Sequence, residues 1–308
     1  MAKKRNSKKT DAKKTITYLI LLYLLITTIA EGYGYDPVGW IKEKLSGFSI
    51  TCEEDLTVSF IDVGQGDCVF ISSGGETMLI DCGEASESAT VINYLDRMGV
   101  DRIDYVVGTH PHSDHMGGMS DIIYEFSVGE VIIPHLADED IPTTRYFEDF
   151  LDACSDKGLY IDEAQCGRVI TLGDAEAKFI APVSNDYSGA NNYSIGILLT
   201  HGNNDFLFTG DAEAEAEFEM LESGALEHVR VYKAGHHGSD TSSSEEFIRV
   251  ISPDYAVIMC GAGNSYGHPH DRIVERLAEY TRNIYRTDLC GTVVFESNGI
   301  NLQIRTER

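Results

Sequence analysis

Three histidines and an aspartate, His110, His112, Asp114 and His115, fall within six positions directly after the β-branched run IDYVV. An ordinary core cannot absorb such a cluster, because each buried ionisable group needs a partner to offset its lost hydration. The segment is also a poor helix, since His and Asp have low propensity and Pro111 removes a donor. A metal centre accommodates it. The H-x-H spacing lets two imidazoles reach one ion, and the adjacent D-H pair offers a carboxylate and an imidazole to a second. Gly117 and Gly118 are expected to let the backbone turn tightly beneath. The bland alternative, a solvated histidine-rich loop, loses ground because two further apolar runs end in matching groups. LFTGD (207–211) ends in Asp211, and VYKAGHHGS (231–239) carries the His236–His237 pair.

Around these runs the chain alternates short apolar strands with helical stretches. LTVSFIDV alternates apolar and polar residues and breaks at GQGD; CVFISS and TMLIDCG follow, joined through Gly74-Gly75. Residues 88–98 place apolar side chains at helical spacing. KFIAPV, SIGILLT and NDFLFTGD read as strands, whereas AEAEAEFEMLES, SEEFIRVI and HDRIVERLAEYT read as helices. Several strand-to-strand links are too short for a crossover helix. The chain is therefore expected to be α/β (α+β), with mixed sheets covered by helices on their outer faces, in one domain over 56–308.

The N-terminus has a different character. Seven of the chain's 24 Lys and Arg lie in residues 1–14, followed by an uncharged apolar run from Thr15 to Ala30. That polarity predicts a basic cytoplasmic tail over 1–14, a transmembrane anchor or signal segment over 15–31, and a spacer over 32–55. About 15 helical residues span roughly 23 Å against a hydrocarbon core of about 30 Å, and Tyr33, Tyr35 and Trp40 suit the interface. An uncleaved anchor is favoured, placing the domain outside the cell on a single-pass stem; secretion after cleavage is the alternative. The rest of the chain holds 17 cations against 49 acids. Such a surface repels nucleic acid at long range and excludes an extensive phosphate-tracking groove, although bound metals reverse the field locally. The seven cysteines show no C-x-x-C spacing and read as small buried hydrophobes.

FIDVGQGD (60–67), LIDCG (79–83), THPHSDHMGG (109–118), NNYS (191–194), FTGD (208–211), KAGHHGS (233–239) and NSYGHPH (264–270) together resemble the metallo-β-lactamase superfamily, closest to the hydrolase domain of the ComEC/Rec2 DNA-uptake branch. The resemblance implies a four-layer αββα sandwich with two divalent metal ions, Zn or Mn. It implies His110 and His112 at the first metal, Asp114 and His115 at the second, Asp211 bridging, and His237 (or His236) completing the second site. Asp81 would orient a ligand histidine. The family's third histidine of the first site is replaced in the NNYS run, leaving that site poorer in nitrogen ligands. Asp62, Gln65 and Asp67 of the GQGD turn, with Asn192 and Tyr266, are candidate second-shell or pocket residues. A plain hairpin explains the turn's glycines equally well.

The implied chemistry is hydrolysis by a metal-activated water. Asp114 is a candidate for orienting that water, and His236 or His268 for protonating the leaving oxygen or binding a phosphoryl oxygen. Phosphodiesters, DNA among them, are the first substrate class. A small phosphoester or cell-wall ester of the phosphorylcholine type is the second. A non-catalytic binding module is the third, and it would predict missing ligands. The cytoplasmic membrane is the one partner the sequence implies besides substrate.

Overall fold

The computed structural model describes residues 55–136 and 141–308, all within one compact unit. The expected tail (1–14), apolar segment (15–31) and, Asp55 apart, spacer (32–55) lie outside the described residues. Among the described residues no helix is long and apolar enough to cross a membrane.

Two mixed sheets face each other. The first runs β15-β14-β1-β2-β3-β4-β5-β6. Its members are β1 (Leu56–Phe60), β2 (Val69–Ser73), β3 (Glu76–Ile80), β4 (Arg102–Val107), β5 (Ser127–Ile133), β6 (Ile161–Glu163), β14 (Val293–Ser297) and β15 (Leu302–Thr306). The second runs β13-β12-β11-β10-β9-β8-β7. It comprises β7 (Val169–Leu172), β8 (Ala175–Ala181), β9 (Gly196–His201), β10 (Asn204–Phe208), β11 (Val231–Lys233), β12 (Tyr255–Ile258) and β13 (Asn283–Arg286). The helices are α1 (Ser88–Arg97), α2 (Ser113–Met116), α3 (Met119–Glu125), α4 (Arg145–Lys157), α5 (Ala214–Glu222), α6 (Glu245–Ile251), α7 (Asp271–Tyr280) and α8 (Thr287–Cys290). This is an αββα sandwich, as expected.

Between the sheets, Phe60, Phe179, Phe206, Phe208 and Phe295 pack with aliphatic residues from both layers. At roughly 1.5–3 kcal/mol for each such side chain, this core holds the sheets together without help from the histidines. Outside the second sheet, α5, α6 and α7 bury Met220, Phe247, Ile248, Ile273 and Leu277 against Leu207, Tyr232 and Ile258. The alternation in LTVSF does not mark a solvated face. Thr57 and Ser59 are buried too, and Tyr94 of α1 donates its hydroxyl to Ser59 Oγ at 2.8 Å.

Strands β3 to β6 pair in parallel, and so do β10 to β13. Parallel strands send their carboxyl ends to one edge, where α/β sheets commonly carry their sites. Pairing of strand β11 stops at Lys233, and residues 235–238 turn away through two left-handed residues, His236 and His237.

Glu217 of α5 ties this edge together from behind. It is fully buried, and its carboxylate accepts from the backbone N–H groups of Ser243 (2.5 Å) and Ser244 (2.9 Å). Burial pushes its carboxyl up to about 7, despite those hydrogen bonds. Because the folded value exceeds the unfolded one, the stabilisation is full below about pH 4.5 and is lost as pH rises through 7. Chemical denaturation of wild type against Glu217→Gln should show their stability difference moving by about 3 kcal/mol in the variant's favour between pH 4.5 and 8. A flat difference would mean that Glu217 is ionised throughout.

Candidate metal centre

The site gathers at the carboxyl ends of β3, β4, β10 and β11. Asp81, just past β3, sits at φ 60, a left-handed conformation that Asp tolerates better than most residues. Its carboxylate accepts from Thr109 N (2.8 Å) and Thr109 Oγ1 (2.7 Å), and lies 2.8 Å from His115 Nδ1. That contact leaves His115 Nε2 aimed at Asp211 Oδ1, 3.2 Å away. His237 has the same arrangement. Its Nδ1 lies 3.1 Å from Met259 O and 3.2 Å from Asp67 Oδ1, while Nε2 faces Asp114 Oδ2 (3.2 Å) and Asp211 Oδ2 (3.4 Å). One set of groups, Asp114, His115, Asp211 and His237, therefore converges on a common point.

A second set lies alongside. His110 Nε2 and His112 Nδ1 are 3.0 Å apart, and His110 Nε2 is 3.8 Å from Asp211 Oδ2. Ser194 fills the place beside them: its Oγ is 3.3 Å from His110 Nδ1 and accepts from Asp211 N at 3.0 Å. The serine thus orients both a histidine and the shared aspartate. Among the described residues, Asp211 alone pairs with both sets.

Electrostatics within the cluster are strong. Burial pulls the imidazoles of His115 and His237 down, but the Asp211 carboxylate and its neighbours outweigh it and hold both well above the usual histidine range. Burial, with His115 close by, holds His110 well below it. Asp211 is driven well below the carboxylate range, its burial outweighed by His115 and His237. His115 Nε2, His237 Nε2 and Asp211 Oδ1 are buried without a hydrogen-bond partner. Asp67, His115, Asp211 and His237 can each offer an atom within 4.8 Å of the others. Buried, unsatisfied, mixed N/O donors of this kind fit a divalent cation.

The backbone is shaped to allow this. A Cβ on Gly66 would lie 2.3 Å from Asp114 O, so the GQGD turn can close over α2 only with glycine there. Gly64 and Gly66 also take positive φ, as a hairpin requires. Gly117 and Gly118 do not. Both are αR, and a Cβ on Gly117 would lie 2.6 Å from Ala85 N. What that pair supplies is close approach, not a tight turn. His236 and His237 stand consecutively in left-handed conformations, a strain that concentrates at functional sites.

A cavity of about 450 Å³ opens over the cluster, walled by Gln65, Ser113, Thr144, Tyr146, His236, Tyr266 and His268, with His112, Asp114, Asp211 and His237 at its floor. His236 is a wall residue: its Nδ1 is held by Thr241 Oγ1 at 3.0 Å and its Nε2 lies 3.6 Å from Asp211. Tyr266, 64% exposed, stacks on His268, whose pKa burial and the neighbouring histidines lower to about 4. His268 is thus neutral at pH 7, which suits accepting or sharing a proton better than delivering one. Two candidates fall elsewhere. Asp62 pairs with Arg308 and borders a separate cleft, because its side chain points away on the other side of the GQGD turn. Asn192 is buried against Ser188 O, Glu213 N and Glu215, where it braces the start of α5. Sequence reasoning assigns no role to Ser194, Thr109, Tyr146 or Lys233. Only Lys233, a charge inside the apolar run VRVYKA, carries a visible signal.

The profile of the Metallo-beta-lactamase superfamily matches residues 61–262. ComE operon protein 3 of Bacillus subtilis is 28% identical over 256 residues, covering 77% of this chain and 32% of that protein. Recombination protein 2 of Haemophilus influenzae is 30% identical, covering 77% and 28%, and Competence protein ComA of Neisseria gonorrhoeae 28%, covering 88% and 37%. The chain spans about a third of the length of these relatives. Among solved structures, CmlA, a diiron beta-hydroxylase from Streptomyces venezuelae, has a TM-score of 0.54 at 17% identity, covering 79% of this chain and 54% of that one. Igni18, a metallo hydrolase from Ignicoccus hospitalis, has a TM-score of 0.51 at 19% identity, covering 78% and 99%. Likeness at these identities shows a shared fold.

Proposed function

Because the chain belongs to the Metallo-beta-lactamase superfamily and carries a metal-dependent hydrolase fold with a buried His/Asp centre, we propose that it hydrolyses phosphodiesters, with DNA as the leading natural substrate. The observation that carries the substrate class is the charge of the centre. Four carboxylates, those of Asp67, Asp81, Asp114 and Asp211, would balance two divalent cations, and buried Lys233 beside Asp67 leaves one positive charge over. A phosphodiester carries one negative charge. Within a chain of net charge −26, such a centre is where an anion would be held. The names of the relatives, recombination and competence proteins, fit nucleic acid. Among the described residues the cavity wall holds no Lys or Arg, which favours a short stretch or an end of a strand over a long tracked duplex.

Divalent ions, Zn or Mn, would supply Lewis acidity and a water deprotonated near neutral pH. His110, His112 and Asp211 would hold the first, and Asp114, His115, Asp211 and His237 the second. Asp81 and Met259 O fix the ring orientations of His115 and His237, presenting Nε2 of each. Asp114, a partly exposed side chain at the cavity floor, would orient the attacking water. His236 and His268 flank the space where the leaving oxygen would stand, and a neutral imidazole N–H there can share its developing charge.

The test is metal-dependent turnover by the purified full chain, stripped and reloaded with Mn or Zn, on bis-p-nitrophenyl phosphate, linear DNA and a phosphocholine ester. Hydrolysis of the first two is expected. Turnover of the phosphocholine ester alone would move the assignment to small phosphoesters, and no turnover by fully loaded protein would sink both. The apolar segment 15–31 is proposed to anchor the domain outside the cytoplasmic membrane; protease sensitivity of the domain on intact cells checks that.

A further inference from the structure

Lys233 is the only lysine or arginine in the buried set of the described residues. Its ammonium donates to Gly210 O and Ala234 O, both at 3.1 Å, and lies 2.5 Å from Asp67 Oδ2. Two hydrogen bonds and one ion pair thus account for the ammonium, which is not among the residues that wall the cavity. Asp67 stands on the Nδ1 side of His237 (3.2 Å) and of His115 (3.8 Å), whereas Asp211 stands on the Nε2 side of both rings and Asp114 on that of His237. Neither oxygen of Asp67 makes a well-formed hydrogen bond. The carboxylate is therefore held by charge, chiefly that of Lys233. It also belongs to the group of four residues whose donor atoms converge within 4.8 Å.

We propose that Lys233 is a built-in cation that neutralises Asp67 behind the His115 and His237 rings and thereby limits how tightly the centre holds its metals. The proposal rests on reading the centre as a metal site. Without the ammonium, the metal-free protein would carry an uncompensated buried carboxylate, a costly arrangement that metal binding relieves. The variant should accordingly lose more stability without metal than with it, and by linkage its metal affinity must rise. A merely structural lysine would lower both states together. Lys233 is thus a positioning residue, acting through Asp67.

The experiment titrates Zn or Mn into the metal-free full chain by calorimetry, with melting curves of both states, for wild type, Lys233→Met and the double variant Asp67→Asn/Lys233→Met. Lys233→Met should bind at least tenfold more tightly and melt lower without metal. The double variant, with both charges gone, should return to within a few-fold of wild-type affinity and regain metal-free stability. Unchanged or weaker binding by Lys233→Met overturns the proposal. Should that variant fold only with metal, folding of the double variant without metal supports the charge coupling, and failure of the double variant to fold overturns it. Wild type that binds no divalent ion fails one step earlier and removes the metal reading itself.

Discussion

Replacing Asp211 by alanine is expected to lower hydrolysis of bis-p-nitrophenyl phosphate roughly a thousandfold, about 4 kcal/mol in the barrier. The magnitude follows from position. Oδ1 lies 3.2 Å from His115 Nε2, and Oδ2 lies 3.4 Å from His237 Nε2 and 3.8 Å from His110 Nε2. No other described carboxylate touches both histidine sets. Removing it takes from both sets their shared carboxylate and the group that fixes their separation. Metal content, measured by emission spectroscopy, should drop below two ions per chain. The fold should survive, because the inter-sheet core of Phe60, Phe206, Phe208 and Phe295 lies in a separate layer of contacts. A fully metallated Asp211→Ala protein with near wild-type turnover would place the chemistry elsewhere.

The residues that make Asp211 central are legible in the amino-acid sequence, and the reason is physical. An apolar strand ending in a carboxylate is ambiguous, but three such ends bearing His and Asp have few common explanations. Periodicity also locates β1 to β4, β8 to β10 and four of the eight described helices, α1, α5, α6 and α7, since both sheets have covered faces and clear strand limits. It locates them less well where local pattern and burial part company. The polar positions Thr57 and Ser59 of an alternating strand are both buried, and Ser59 meets Tyr94 of α1. Helix α4, which supplies Tyr146 to the cavity wall, has no place in the sequence reading although its apolar spacing is helical.

Within the site, sequence separates ligand-like residues from the rest but gives them no directions. Asp62 and Asp67 flank one turn with the same chemistry, yet the positive φ of Gly64 and Gly66 sends Asp67 to the histidines and Asp62 to Arg308. In NNYS the eye falls on the asparagines. The residue that reaches His110 is Ser194, because the 3-10 turn at Ala190–Tyr193 directs Asn192 toward α5. Lys233 is invisible as a partner because, Ala234 O apart, its contacts come from Gly210 just past β10 and Asp67 of the GQGD turn, far away in sequence. Neither periodicity nor motif spacing encodes such contacts.

That dependence on direction gives the second large effect its shape. Asp81 to alanine removes three contacts at once: Thr109 N, Thr109 Oγ1 and His115 Nδ1. It also places alanine at φ 60, which costs about 1–2 kcal/mol for a residue with an ordinary Cβ. With a buried imidazole N–H and a buried backbone N–H left unpaired, the total loss of stability should be about 3 kcal/mol or more. Metal affinity should fall about 10–100-fold, since His115 is no longer held with Nε2 toward Asp211. Asp81→Asn separates the two effects. Asparagine tolerates the left-handed backbone and can still accept from Thr109 N, so most of the stability should return. Its amide N–H, however, would face His115 Nδ1, driving the ring to the tautomer that carries its proton on Nε2, where the proposed metal would bind. Near-native melting with weakened metal binding in Asp81→Asn is the expected signature. Metal binding equal to wild type in that variant would reduce Asp81 to a scaffold for Thr109 and leave the orientation of His115 to its packing against His110 and His237.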